Sequence, residues 1–510
     1  MTFRIKHIAK QTFTLVCIFL ISHNARATRL HGKSIDYAGI TVEIFTYADF
    51  ISHLPKSLGA MQIDENGNFD YSLEINDITY AYLNLGAFRA EIYLEPEVEY
   101  EIVLPPFTPR PDSEIFNPFY QPETIELGIA NETGCLNEAI RNYEQFFNAE
   151  YHTKAVLMVR RRDKALADSL LAMSDSIAKN QNCDNEFFHK YVEFRNARIY
   201  ATARLRSPKQ TINQYFSNKK VEYSIPTYWD VIDLLFHDFI AQYAHSNMTS
   251  EFTKTLGNKP LDFNELRIKL AQDSVFSDTT FCETLLLKGI YDGYYSQYFS
   301  DGTTDTLLNS AVESSISEQG REIALNIFIK KNRLKTGFPA PEFKLLSTKG
   351  KEVSLSDFKG KFIYLSFLHT KNYACMKDLP ALASLSKKYK RDIAIISIMT
   401  DENSDDLDEY FSKRKYDWTV LSFNLKQSVV FDYCIEAQPS YFLIDPDGTI
   451  AVSPAPSPTE GIENVIADNI LNYKRKQTNK NQDKGRDIYD IVRDEAKQQQ
   501  QNGNSKGRKY

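Results

Sequence analysis

From Phe338 onward the chain changes rhythm, and no other feature constrains its fold as much. Short apolar runs of strand length begin to alternate with segments of helical period, which predicts an α/β layer. Phe362 to Phe367 is apolar almost throughout, as a strand covered on both faces requires, and Ile393 to Met399 repeats the pattern. Met376 to Tyr389 reads as a helix between them, and Asp405 to Arg414 as a helix with one polar face. A short helix at Val429 to Tyr433 precedes Pro439. Ser440 to Asp445 and Thr449 to Val452 flank Pro446-Asp447-Gly448, a turn signal that predicts a hairpin. Gly461 to Tyr473 closes the unit as an amphipathic helix.

This unit is a minor part of a chain of 510 residues, a length that predicts two or three domains. Residues 1–27 read as a secretory signal: Arg4, Lys6 and Lys10 are followed by an apolar stretch from Phe13 to Ile21 and by Ala25-Arg26-Ala27. The apolar stretch is short for a bilayer span, so cleavage after Ala27 is expected, with membrane association only through an uncleaved signal. The predicted location is the periplasm or cell envelope. Five cysteines remain, Cys135, Cys183, Cys282, Cys375 and Cys434, in a compartment where disulfides persist. An odd number leaves at least one thiol without an internal partner, and the spacing does not fix the connectivity. Cys434 is expected to be an interior residue. No spacing resembles a metal site, and no cofactor motif is present.

The formal net charge of −7 becomes about −11 without the signal, which argues against nucleic acid as a partner. Residues 474–510 depart from this balance, being basic and Gln-rich. They predict a mostly disordered tail with one short helix around Ile488 to Ala496.

Residues 28–110 show strand alternation, as in Gly39 to Phe45, Ala90 to Leu94 and Tyr100 to Leu104, and predict a small antiparallel β-sandwich. Pro105, Pro106, Pro109 and Pro111 then mark a boundary. Residues 111–335 are assigned as a helical region, with helical period from about Cys135 to Lys331, Phe187, Tyr191, Phe194 and Ala197 sharing one face and Ile232, Phe236, Phe239 and Tyr243 another. Six to eight helices in an irregular bundle are expected. The aromatic run Tyr291, Tyr294, Tyr295, Tyr298 and Phe299 is read as core packing, and Arg160, Arg161 and Arg162 as a solvated helix face. The fold class is therefore multidomain: a β-sandwich-like unit, a helical middle region and a C-terminal α/β domain.

The C-terminal residues resemble the TlpA/ResA-type thioredoxin-like proteins, within the wider group that includes alkyl hydroperoxide reductases. Four motifs in order carry the resemblance. They are Phe338-Pro-Ala-Pro-Glu-Phe343, Gly350 to Lys361, Cys375-Met-Lys-Asp-Leu-Pro380, and Gln438-Pro439-Ser440 running to Gly448. The resemblance implies a thioredoxin fold over 336–473 and a cis peptide before Pro439. The Asp64 to Phe69 turn and the Tyr93 to Pro96 run likewise resemble the small β-domain, of no assigned activity, that often precedes such domains in exported Bacteroidetes proteins.

The family's Cys-x-x-Cys falls on Asn372-Tyr373-Ala374-Cys375, with Lys371 in place of the usual tryptophan. Dithiol exchange needs an accessible thiolate to attack and a second thiol to resolve the mixed disulfide. Asn372 can cap a helix but cannot attack sulfur. The resemblance places Cys375 where a buried resolving thiol would sit, and burial raises a thiol pKa. Weak or lost dithiol activity is expected, with Lys371, Tyr373, Gln438 and Pro439 lining a groove for protein thiols or disulfides or for an exported protein partner. Two alternatives stay open. One is a single-thiol, peroxiredoxin-like peroxidase using Cys375, although Asn372 and Leu368 replace that family's Thr and Pro. The other is a non-catalytic binding or scaffold protein. The sequence does not give the oligomeric state.

Overall fold

The computed structural model describes residues 27–479, less 112–113, 115–116, 118–119, 132–133, 162, 205–207, 241, 243–261, 274–275, 402–410, 412–415 and 424–426. The expected signal, Arg162, Tyr243, nearly all of the helix expected at Asp405 to Arg414, and the tail from 480 with its short helix lie outside the described residues.

Nine N-terminal strands are present among the described residues: β1 (Thr28–Lys33), β2 (Thr41–Tyr47), β3 (Pro55–Gln62), β4 (Asn68–Leu73), β5 (Thr79–Leu85), β6 (Phe88–Leu94), β7 (Glu99–Val103), β8 (Glu123–Glu126) and β9 (Gly128–Ile129). They form two sheets of order β4-β1-β7-β9 and β3-β2-β5-β6-β8. Alternation explains how both sheets feed one core: Ala90, Ile92 and Leu94 of β6 and Tyr100 and Ile102 of β7 point inward with Leu30 and Phe69. The β1–β7 and β6–β8 pairs are parallel, so the all-antiparallel expectation is corrected. Neither pair is joined by a hairpin, and only a hairpin forces opposite directions.

The middle region holds nine helices among the described residues, against six to eight expected: α1 (Leu136–Arg161), α2 (Lys164–Asn180), α3 (Glu186–Ala203), α4 (Pro208–Tyr215), α5 (Pro226–Phe236), α6 (Phe263–Leu270), α7 (Thr279–Tyr295), α8 (Asp301–Ser314) and α9 (Glu318–Asn332). Phe187, Tyr191, Phe194 and Ala197 of α3 are all buried in one large core. Helix α5 stops at Phe236, because His237 adopts an extended backbone, so Phe239 follows a break although it too is buried. In the 291–299 aromatic run only Phe299 is buried. Tyr295 is 53% and Tyr298 37% exposed, whereas half-buried Tyr291 packs against the core and also touches Tyr295, so the core-packing expectation holds for Tyr291 and Phe299 and not for Tyr295 and Tyr298. That run straddles the end of α7 at Tyr295. Arg160 and Arg161 are exposed.

Cys135 and Cys183, immediately ahead of α1 and α3, are joined in a disulfide with Cα atoms 5.3 Å apart. Cys282, Cys375 and Cys434 are free thiols, the first two buried. Cys434 is exposed, which corrects its interior assignment: the chain leaves a helix there with φ of +48°, turning the residue out of the core.

The C-terminal unit comprises β10 (Lys344–Leu346), β11 (Glu352–Ser354), β12 (Phe362–Leu368), α10 (Tyr373–Lys388), β13 (Ile393–Met399), β14 (Thr419–Ser422), α11 (Gln427–Asp432), β15 (Ser440–Ile444), β16 (Ile450–Val452) and α12 (Ile462–Asn479). Its five-stranded sheet has the order β14-β13-β12-β15-β16. Strand β12 is central, parallel to β13 and antiparallel to β15, and all seven of its residues are buried. Alternate side chains feed two cores, Tyr364 and Leu368 on one face and Ile363, Leu365 and Phe367 on the other. Helix α12 runs on to Asn479, past the expected end at Tyr473, because Lys474 and Arg475 have high helix propensity.

Candidate functional site

The sheet places the candidate site residues just beyond the ends of the parallel strands β12 and β13. His369 follows β12 directly, and Thr400 and Asp401 follow β13. The ladder continues for one bond, from Thr400 N–H to the Leu368 carbonyl at 2.8 Å. Asp401 then accepts the Thr370 N–H on both carboxylate oxygens at 3.1 Å and also accepts the Thr370 hydroxyl. His369 Nδ1 lies 3.4 Å from Asp401 and accepts the Lys371 N–H at 3.1 Å. The turn into α10 is thus pinned from below by two side chains, each under a tenth exposed.

Asn372 is the N-cap of α10. Its backbone is extended, and its Oδ1 accepts the Ala374 N–H at 2.9 Å, meeting one of the helix's otherwise unpaired donors. Its Nδ2 donates to the Gln438 carbonyl at 2.8 Å. The Gln438–Pro439 peptide is cis, as is Ser453–Pro454, which the sequence did not signal. Gln438 is held in turn by its Nε2, which donates to Thr400 Oγ1 at 3.3 Å.

Cys375 lies three residues into the helix and is wholly enclosed. Burial pushes its thiol up to about 11. A hydrogen bond from the His369 backbone opposes this, while the charges of Asp378 and Asp401 add to it. Asp378, one helical turn further on and also buried, accepts the Tyr441 hydroxyl at 2.8 Å. Pro380 sits inside the helix.

Of the residues expected to line a groove, Asn372, Gln438 and Pro439 are brought together. Lys371 and Tyr373 flank them at the surface, Tyr373 being 82% exposed. Cys375 is behind this surface, not in it. Leu368, where a peroxiredoxin-like site needs proline, is a buried strand residue. Sequence reasoning missed His369, Thr400, Asp401 and Asp378. A signal existed for the first three, polar residues placed just beyond apolar strand runs, but not for Asp378.

Known proteins resemble this chain in its C-terminal segment. Residues 336–453 match the model of the AhpC/TSA family. The thiol-disulfide oxidoreductase ResA of Bacillus thuringiensis subsp. konkukian is 30% identical over 125 residues, 24% of this chain and 71% of that protein. The thioredoxin-like protein YneN of Bacillus subtilis is 29% identical over 119 residues, 23% of this chain and 69% of the other. Among solved structures, the thioredoxin domain of a thiol-disulfide oxidoreductase from Bacteroides vulgatus is 28% identical, with a TM-score of 0.23, covering 28% of this chain and 96% of that one.

Proposed function

The chain belongs, through its C-terminal domain, to the AhpC/TSA family of thioredoxin-fold proteins and resembles the ResA type, and on that premise we propose that it is an exported member of the thiol-disulfide oxidoreductase group in which dithiol exchange is weak or lost. The groove between Asn372 and Pro439 then serves to hold a protein partner, while the β-sandwich-like unit and the helical region present the domain outside the cytoplasm. The observation that carries this reading is the pairing of Asn372 with an enclosed Cys375. The position that should bear an attacking sulfur bears a carboxamide already engaged in two hydrogen bonds, and the remaining thiol is neither exposed nor readily ionised. The Cys135–Cys183 disulfide supports an oxidising location.

Insulin reduction with a small-thiol electron source tests this. The native chain is expected to show little activity. Strong activity abolished by Cys375→Ser would overturn the proposal in favour of a single-thiol enzyme.

A further inference from the structure

The segment that delivers the Gln438–Pro439 edge is gripped from the far end of the chain. Glu43 lies on β2, 385 residues before Ser428. Its carboxylate accepts the Ser428 backbone N–H at 2.9 Å on one oxygen and the Ser428 hydroxyl at 2.6 Å on the other. The N-cap of α11 is therefore supplied by a different unit of the protein. Two residues along β2, buried Phe45 stacks on Tyr82 and meets Phe431 of α11 edge-on, with ring centroids 6.1 Å apart. On its other side α11 leads into Tyr433, which is buried against Phe367 and Phe442 and donates its hydroxyl to the Pro341 carbonyl at 2.7 Å. Helix α11 is thus wedged between the N-terminal sheet and the thioredoxin-fold sheet.

The N-terminal sheet is itself anchored to the helical region. Asn326 of α9 donates to Asp49 at 3.0 Å, and Lys330 donates to the Ser52 carbonyl and, at 2.9 Å, to the Tyr291 hydroxyl. Arg333, just past α9, faces Asp432 and Cys434, so all three units converge five to seven residues before Pro439.

We propose that Glu43 is a positioning residue for the groove: held rigidly by β2, its carboxylate fixes α11 and, through α11, the backbone edge at Gln438 and Pro439. The groove is then a property of the whole chain, shaped by the N-terminal unit, and not of the C-terminal domain alone. The inference does not depend on whether the domain performs redox chemistry.

Hydrogen–deuterium exchange on the full-length mature chain tests it. A charge-assisted bond pair of this kind is commonly worth enough that its loss raises local opening about tenfold. Glu43→Ala is expected to speed exchange about tenfold across residues 428–440 while leaving 362–368 and 90–94 unchanged. Glu43→Gln keeps an acceptor for the Ser428 hydroxyl and should give an intermediate rise. Adding Ser428→Ala to Glu43→Ala should change nothing further, because the two residues act as one unit. If Glu43→Ala does not fold, Ser428→Ala alone must still raise exchange selectively in 428–440. Unchanged exchange there, a uniform rise through every strand, or additive effects of the two substitutions would each overturn the proposal.

Discussion

Asn372 and Gln438 are tied by a 2.8 Å hydrogen bond from the Asn372 carboxamide to the carbonyl that precedes Pro439, while the other end of the same side chain caps α10. One residue thus joins the helix to the proline loop. Truncation should cost both bonds: Asn372→Ala is expected to destabilise the domain by about 1–2 kcal/mol in urea unfolding. Asn372→Ser can keep the cap but is too short for the crossing bond, and should recover about half of that loss. Equal stability of the native and alanine forms would show that neither bond matters.

The free thiols should separate sharply by access. Cys434 is exposed, although surrounding protein raises its thiol pKa against the opposing charge of Arg333, whereas Cys375 and Cys282 are enclosed and pushed up to about 11 and about 12 by burial. At pH 8 roughly one Cys375 in a thousand is thiolate. Labelling of the folded protein with a maleimide is therefore expected to modify Cys434 first, and Cys375 and Cys282 only after denaturant is added. Mass spectrometry of the labelled peptides reads the order directly, and prompt labelling of Cys375 would refute the enclosed site.

Asp432 gives a pH-dependent prediction at the junction of the three units. Burial raises its carboxyl to about 6, with Arg333 opposing and Glu43 reinforcing the shift. The folded pKa stands above the unfolded value near 4, so the neutral form favours folding. This contribution is complete below about pH 4 and is lost as pH rises through 6. Asp432→Asn should accordingly stabilise the protein by about 1–3 kcal/mol at pH 7.5 and by almost nothing at pH 4. The same gain at both values would place the effect in packing and not in ionisation.

How much of this was legible in the sequence depended on whether the physics was local. Helix α10, strand β13 and the hairpin at Pro446 to Gly448 follow from apolar periodicity and turn residues and were located to within a few positions. Asn372 as a helix cap and Cys375 as an enclosed thiol follow from spacing together with the family resemblance. What could not be read was contact between distant segments. The Cys135–Cys183 pair spans 48 residues and was one of several combinations, and the Glu43–Ser428 clamp spans 385 with no pattern to announce it. The parallel strand pairs of the N-terminal sheets were missed because alternation fixes which face of a strand is buried but not its direction. The outward turn at Cys434 was missed for a related reason, since a cysteine's apolar character predicts burial until backbone geometry overrides it.

The most direct test of the central claim is to return the missing sulfur. The site retains the N-terminus of α10, whose backbone N–H groups, released from the Asn372 cap, stabilise a thiolate, with Lys371 adjacent and Cys375 one turn inside. Insulin reduction should be compared for the native chain, Asn372→Cys and Asn372→Cys/Cys375→Ser, with the 372–375 bond checked by mass mapping. The account predicts little activity in the native protein, a marked gain in Asn372→Cys that accompanies a 372–375 disulfide, and loss of that gain in the double variant. A folded Asn372→Cys protein that forms no disulfide with Cys375 would contradict it, because the two positions would then not be the two halves of a redox site.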